Sequence, residues 1–213
     1  MPIIQKQKIL FKKNLGFIHI PKCGGSSIEN LFIGKKKIKI YFLDRKFDKK
    51  RFNYLSAPPQ HLFFSELKKI SKIDVKNIDF FCTSRHPISR FISAYAFNYG
   101  NNLIEKELNN INLFVDYFYE NLDLIKYKYN RHFMDMWRFI EGNKKIKIYK
   151  LENKLDINKI ENLVSNFLGI KKIVLPHSNK NFYSTNDEVF NLSANSIEIL
   201  HEIYKKDFIR FNY

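Results

Sequence analysis

The sequence predicts an α/β fold: a mainly parallel central sheet with helices on both faces, in a single domain spanning residues 1–213. Two apolar runs carry that prediction. Phe17-Ile18-His19-Ile20 and Ile78-Asp79-Phe80-Phe81-Cys82-Thr83-Ser84 each break into a tight turn and continue as an amphipathic helix. Strand–turn–helix units in series build a covered parallel sheet. Size and composition agree, because 213 residues suit one domain and no repeat or Pro/Gly/Ser linker divides them. A hydrophobic content of 45%, with 21 Phe and 12 Tyr, supplies a large core. In such a sheet ligands sit beyond the carboxyl ends of the strands, so the two turns are where function is sought.

The first unit runs from Gly16 to Ile28. Phe17, Ile18 and Ile20 make the strand, Gly24 and Gly25 permit backbone angles closed to other residues, and Ser26 and Ser27 are helix-starting types. Ile28, Leu31 and Phe32 follow at helical spacing, and Gly34 reads as the helix stop. Backbone N–H groups at the turn, a helix N-terminus and the charge of Lys22 make residues 22–27 an oxyanion cradle. An ordinary strand–turn–helix corner is the plainer alternative. The order of residues is not Walker A, since the lysine precedes the glycines.

Residues 36–43 alternate Ile38, Ile40 and Phe42 with Lys37, Lys39 and Tyr41, which predicts a strand with one solvated face. Residues 44–57 read as a polar surface loop. Pro58-Pro59-Gln60-His61 precedes a short helix over 64–70. His61 lies between the two turns, and an imidazole with a pKa near 6.5 is a natural general base. A structural histidine is the alternative at that position.

After the second strand, Pro87 suits a first helical turn, and Ile88, Phe91, Ile92 and Tyr95 share one face. Arg85 at the turn and Ser93 on the helix are suited to bracket a phosphate, the guanidinium as a charge-assisted fork; a surface arginine and an ordinary helical serine are the plainer alternative. Residues 98–112 read as an outward loop, followed by helices over 113–122 and 129–140. Phe133, Met134, Met136, Trp137 and Phe139 read as core or as the wall of a cleft. Residues 145–151 predict a strand ending at Glu152, which is read as structural. A helix over 158–168 stops at Gly169, residues 175–180 form a polar loop, and the last helix starts near Ser193.

The net charge of +16 favours anionic partners. A lysine-rich bias throughout the chain explains part of it. Cys23 and Cys82 make no disulfide framework and suit a reducing cytosol. The first thirteen residues lack the apolar core of a signal peptide, and no apolar run approaches the ~18 residues of a membrane span. No metal-ligand cluster is evident.

Pro-Lys-x-Gly-Gly-Ser-Ser after an apolar strand resembles the 5′-phosphosulfate loop of sulfotransferases that use 3′-phosphoadenosine 5′-phosphosulfate (PAPS). Arg-x-Pro-x-x-Arg-x-x-Ser-x-Tyr, from Arg85 to Tyr95, resembles their 3′-phosphate motif. The segment Leu175-Pro176-His177-x-Asn179 and the ending from Tyr204 to Tyr213 are similar to carbohydrate sulfotransferases. Cys23 departs from the family's usual threonine, and a thiol is a weak donor, so a contact there is left to its backbone N–H.

The resemblance implies a P-loop nucleotide-kinase-like fold and transfer of a sulfuryl group from PAPS to a carbohydrate hydroxyl, releasing 3′,5′-ADP without a metal. Carried over, Lys22, Cys23, Gly24, Gly25, Ser26 and Ser27 hold the phosphosulfate, and Arg85 and Ser93 hold the 3′-phosphate. Lys22 and His61 are the catalytic pair, with Glu29 or Glu66 as alternative bases. The implied partner is an anionic or membrane-associated bacterial glycan or glycolipid, met in the cytoplasm or at the inner membrane surface. No specific nucleic acid is implied. A non-catalytic nucleic-acid-binding module is the competing class, with aromatics stacking on bases; the core-like spacing of the aromatics counts against it.

Overall fold

The computed structural model describes residues 2–6, 14–35, 38–41, 57–70, 77–143, 145–176 and 190–213. In chain order these form β1 (Ile3–Lys6), β2 (Asn14–Ile18), α1 (Gly25–Asn30), β3 (Ile38–Tyr41), α2 (Phe64–Ile70), β4 (Ile78–Ser84), α3 (Pro87–Gly100), α4 (Ile111–Glu120), α5 (Leu122–Tyr127), α6 (Met136–Ile140), β5 (Lys147–Lys150), α7 (Lys154–Leu168), α8 (Ala194–Ile203) and α9 (Lys205–Phe211). The five strands lie in the order β3-β1-β2-β4-β5. β2, β4 and β5 pair in parallel. β1 is antiparallel to both its neighbours, so β3 points the same way as β2. The sheet is therefore mainly parallel, with β1 the one reversed strand described.

Alternation along the strands sends side chains to both faces, and both are covered. Leu15, Phe17, Phe81 and Tyr149 pack under Ile28 of α1, Leu31 and Phe32 just after it, short of the expected stop at Gly34, and Ile160 and Val164 of α7. Ile18, Ile78, Phe80 and Cys82 face the other way, against Phe64 and Leu67 of α2, Phe139 of α6 and Phe211 of α9. A third cluster sits among α3, α4, α5 and α8, where Phe91, Tyr95, Phe114, Phe118, Phe133 and Tyr204 bury their rings together. The aromatic richness of the chain thus goes mainly into core. No helix of the described residues is long and apolar enough to cross a membrane.

Three expectations are corrected. The helix expected over 129–140 is broken: Tyr129, Asn130 and Arg131 all take positive φ, and α6 begins only at Met136. That restart is fixed from a distance, because the Asp207 carboxylate accepts from the backbone N–H groups of Met136 (2.8 Å) and Trp137 (2.9 Å). Residues 98–112 do not loop outward from Asn98, since α3 continues to Gly100 and Asn98 is fully buried. The N-terminal stretch, read only for the lack of a leader, contributes β1. Phe133, Met134, Met136 and Phe139 are core, and Trp137 packs partly buried against them. The expected loops over 44–56 and 177–180 lie outside the described residues.

Candidate active site

The turn after β2 is tightly specified. Lys22 and Gly24 both have positive φ, 66° and 74°. A Cβ on Gly24 would stand 2.9 Å from Leu151 Cδ1, and one on Gly25 would fall into the His19 ring, so neither position has room for a side chain. Thr83 Oγ1, near the end of β4, donates to the Cys23 carbonyl at 2.5 Å and ties the turn to the neighbouring strand. The Gly24 carbonyl accepts from Ser27 and Ile28 and starts α1. Among the described residues the N–H groups of Gly24, Gly25 and Ser26 have no acceptor. Three consecutive donors beside a lysine form an anion site. The first helix is only six residues long, so attraction rests on these donors and Lys22 more than on the helix dipole.

Cys23 is turned away from the ligand side. Its Sγ contacts Met136 Sδ at 3.7 Å, its N–H donates to Ile20 and its carbonyl is taken by Thr83. Burial pushes its thiol up to about 12, so it is inert. The Cys23 N–H, expected to contact the ligand, donates to the Ile20 carbonyl at 3.3 Å, so this residue shapes the turn.

The second turn meets the first. β2 and β4 are adjacent and parallel, so Lys22 and Arg85 emerge at the same end of the sheet. They are close enough that, after burial, the Arg85 charge is the next cause drawing the Lys22 ammonium down to about 8. Glu152 anchors the start of α3 by accepting from the His86 N–H at 2.7 Å. Tyr213 donates its hydroxyl to Glu152 (3.1 Å) and takes a bond from Ser84 (3.1 Å), bracing the same turn. Arg90, Ser93 and Phe97 share one side of α3 by helical spacing. Arg90 is fully buried and donates to the carbonyls of His132 (2.9 Å) and Met134 (2.8 Å). Ser93 is buried as well, one helical turn further along.

Three histidines form a chain that reaches the lysine through His132. His61 lies 4.9 Å from His19 and 5.6 Å from His132, ring centre to ring centre. His132 in turn lies 5.2 Å from Phe97, and the Lys22 Nζ sits 4.0 Å above the Phe97 ring. His61 Nδ1–H donates to the Asn130 carbonyl at 2.9 Å. That bond fixes the tautomer and leaves a lone pair on Nε2. Burial, then the His19 and His132 imidazoles, hold the His61 pKa well below its ordinary value, so the ring is neutral. On His132 the proton is on Nε2, because the Asn98 amide N–H₂ donates both to Ala94 and to His132 Nδ1.

The two alternative bases are engaged elsewhere. Glu29 is buried against His19 Nδ1 at 2.5 Å. Glu66 forms a bidentate pair with Arg131 (2.6 and 2.7 Å) and accepts from Phe63 N–H. Burial opposes its ionisation, yet the Arg131 and Phe63 bonds hold its pKa below the usual range. Arg131 also donates to the His61 carbonyl at 3.2 Å. Glu66 thus acts at one remove, holding the segment that carries His61.

A sulfotransferase family model matches residues 8–213, nearly the whole chain. The chain belongs to the sulfotransferase family. No curated protein and no solved structure gave a match. The non-catalytic nucleic-acid module is therefore set aside: this chain is an enzyme that transfers sulfuryl groups. Sequence reasoning missed several residues that the fold brings into the sulfotransferase's candidate site. His132, Arg131 and Phe97 come from regions read as helix, core or loop edge, and their signal is purely tertiary. Arg90 had a signal, as the second arginine of the Arg85–Tyr95 motif. A depression of about 660 Å³ between α6 and α9, around Trp137 and Arg210, shares no residue with either turn.

Proposed function

We propose that this sulfotransferase takes its sulfuryl group from PAPS and passes it to a hydroxyl of a carbohydrate acceptor, releasing 3′,5′-ADP. One observation carries the reading: the Lys22 turn and the Arg85 turn stand at the same end of two adjacent parallel strands. That is the arrangement needed to grip the two phosphate ends of one nucleotide. Lys22 and the N–H groups of Gly24, Gly25 and Ser26, with the Ser26 and Ser27 hydroxyls, hold the phosphosulfate. Arg85 and Ser93 hold the 3′-phosphate.

His61 is the general base. Its Nε2 takes the acceptor's hydroxyl proton as that oxygen attacks sulfur in line. The bond between sulfur and the bridging oxygen breaks, and its electron pair stays on the departing 5′-phosphate. Lys22 neutralises the charge that gathers there. Positioning and electrostatics carry such a transfer, as they do phosphoryl transfer, and none of the steps calls for a metal. The net charge of +16 and an exposed aromatic ring beside Lys22 support an anionic glycan acceptor. Cys23 and Cys82 are buried free thiols, which fits work in a reducing cytoplasm, at most at the inner membrane surface.

Calorimetric titration with 3′,5′-ADP tests the reading on the native enzyme, Lys22→Ala and Arg85→Ala. Micromolar binding that each substitution weakens is expected. A native enzyme that ignores 3′,5′-ADP overturns the donor assignment.

A further inference from the structure

Among the described residues the Lys22 ammonium has no carboxylate and no hydrogen-bond acceptor; its one close partner is the ring of Phe97, 4.0 Å away. Burial and Arg85 draw its pKa down to about 8, as expected for a desolvated cation lacking a counter-charge. A cation resting on a ring is held less firmly than one in a charge-assisted bond to an anion. Phe97 itself is unusual for α3. The residue is 42% exposed although its ring meets His132 edge-on. Phe91 and Tyr95 on the same helix are fully buried. An aromatic ring partly in solvent, one histidine removed from the proposed base, is a platform for a ring that has an apolar side.

We propose that Phe97 is the acceptor platform of this enzyme and that Lys22 covers it until the donor binds. This rests on the PAPS reading above. The phosphosulfate draws the ammonium off the ring, and a pyranose then lays its C–H face on Phe97 with a hydroxyl directed at His61. Donor therefore precedes acceptor. The coupling is reciprocal: because the ring competes for Lys22, it weakens donor binding in the free enzyme.

The test uses an indole reporter. Trp137 is the chain's single tryptophan, so Phe97→Trp in a Trp137→Phe background reports from the platform alone. Saturating 3′,5′-ADP should raise the acrylamide quenching constant of that indole about twofold as the lysine leaves. Methyl β-D-glucopyranoside should then protect the indole, and only with nucleotide bound. Phe97→Leu should bind 3′,5′-ADP about threefold tighter by calorimetry, the scale of a lost cation–π contact. The proposal is overturned if nucleotide binds with no change in quenching. It is also overturned if the glucoside protects equally without nucleotide or never protects, or if Phe97→Leu binds no tighter. If the native enzyme binds no 3′,5′-ADP, the PAPS reading falls first and this proposal falls with it.

Discussion

Replacing Lys22 by methionine should stabilise the free enzyme while removing its grip on nucleotide. Burial and Arg85 lower the Lys22 pKa from 10.5 to about 8. At about 1.4 kcal/mol for each pH unit, that difference makes the charged lysine a burden of about 3 kcal/mol at neutral pH. Methionine keeps the apolar stem and removes the charge, but forfeits the contact with Phe97, a loss of roughly 0.5–2 kcal/mol. The net gain is about 1–3 kcal/mol, or about 3–10 °C in Tm for a chain of this size.

The pH dependence has a definite sign. Below pH 8 Lys22 is charged in both folded and unfolded states, and the full burden is present. Between about 8 and 10.5 the folded state has released its proton and the unfolded state has not, so the wild type gains stability as pH rises. The advantage of Lys22→Met should therefore shrink across that window. Urea unfolding of both proteins at about pH 7 and about pH 9.5 measures this, with calorimetry against 3′,5′-ADP alongside. A variant less stable than wild type at pH 7, or an advantage that does not change with pH, refutes the reasoning about burial. Undiminished 3′,5′-ADP affinity refutes the reasoning about function.

Three further outcomes are expected. His61→Asn should lower sulfuryl turnover about 10²–10⁴-fold while leaving 3′,5′-ADP affinity unchanged, since a base acts on the acceptor's proton and not on the nucleotide; single-turnover transfer and calorimetry separate the two effects. Glu152→Ala strands the His86 N–H and frees Tyr213, so it should cost about 1–3 kcal/mol in urea unfolding and weaken 3′,5′-ADP binding through the Arg85 turn. Glu66→Ala leaves the buried Arg131 guanidinium without its carboxylate and should cost about 3 kcal/mol, whereas Glu66→Leu with Arg131→Met should recover most of it by thermal melting.

Both turns were legible in the sequence because their chemistry is local. Lys22 to Ser27 and Arg85 to Ser93 each place charge, turn residues and helix starters within ten positions of an apolar strand. His61 was legible only as a position between them. Its neutral state depends on burial and on His19 and His132, and its tautomer on Asn130, which the chain brings in from two stretches, one at residue 19 and one at residues 130–132. Glu66 looked like a rival base because a carboxylate near a histidine carries no sign of its partner; Arg131, which ties it down, is 65 residues away. The broken helix after Tyr129 hid for a similar reason. Its apolar spacing is helical, and the interruption comes from three left-handed residues in a row with the restart held by Asp207. β1 is four residues long, and Ile3 and Ile4 alone give no periodicity to read.

The reversed strand has a practical consequence. Among the described residues β3 is joined to the sheet only through β1, and β1 alone shields the flank of β2, the strand that leads to Lys22. Trimming the basic leader to tidy a crystallisation sample would thus strip two strands at once. It would leave unpaired backbone along β2, open to pairing with another molecule. Loss of activity after such trimming would report an unzipped border and stickiness in solution, not a residue missing from the chemistry.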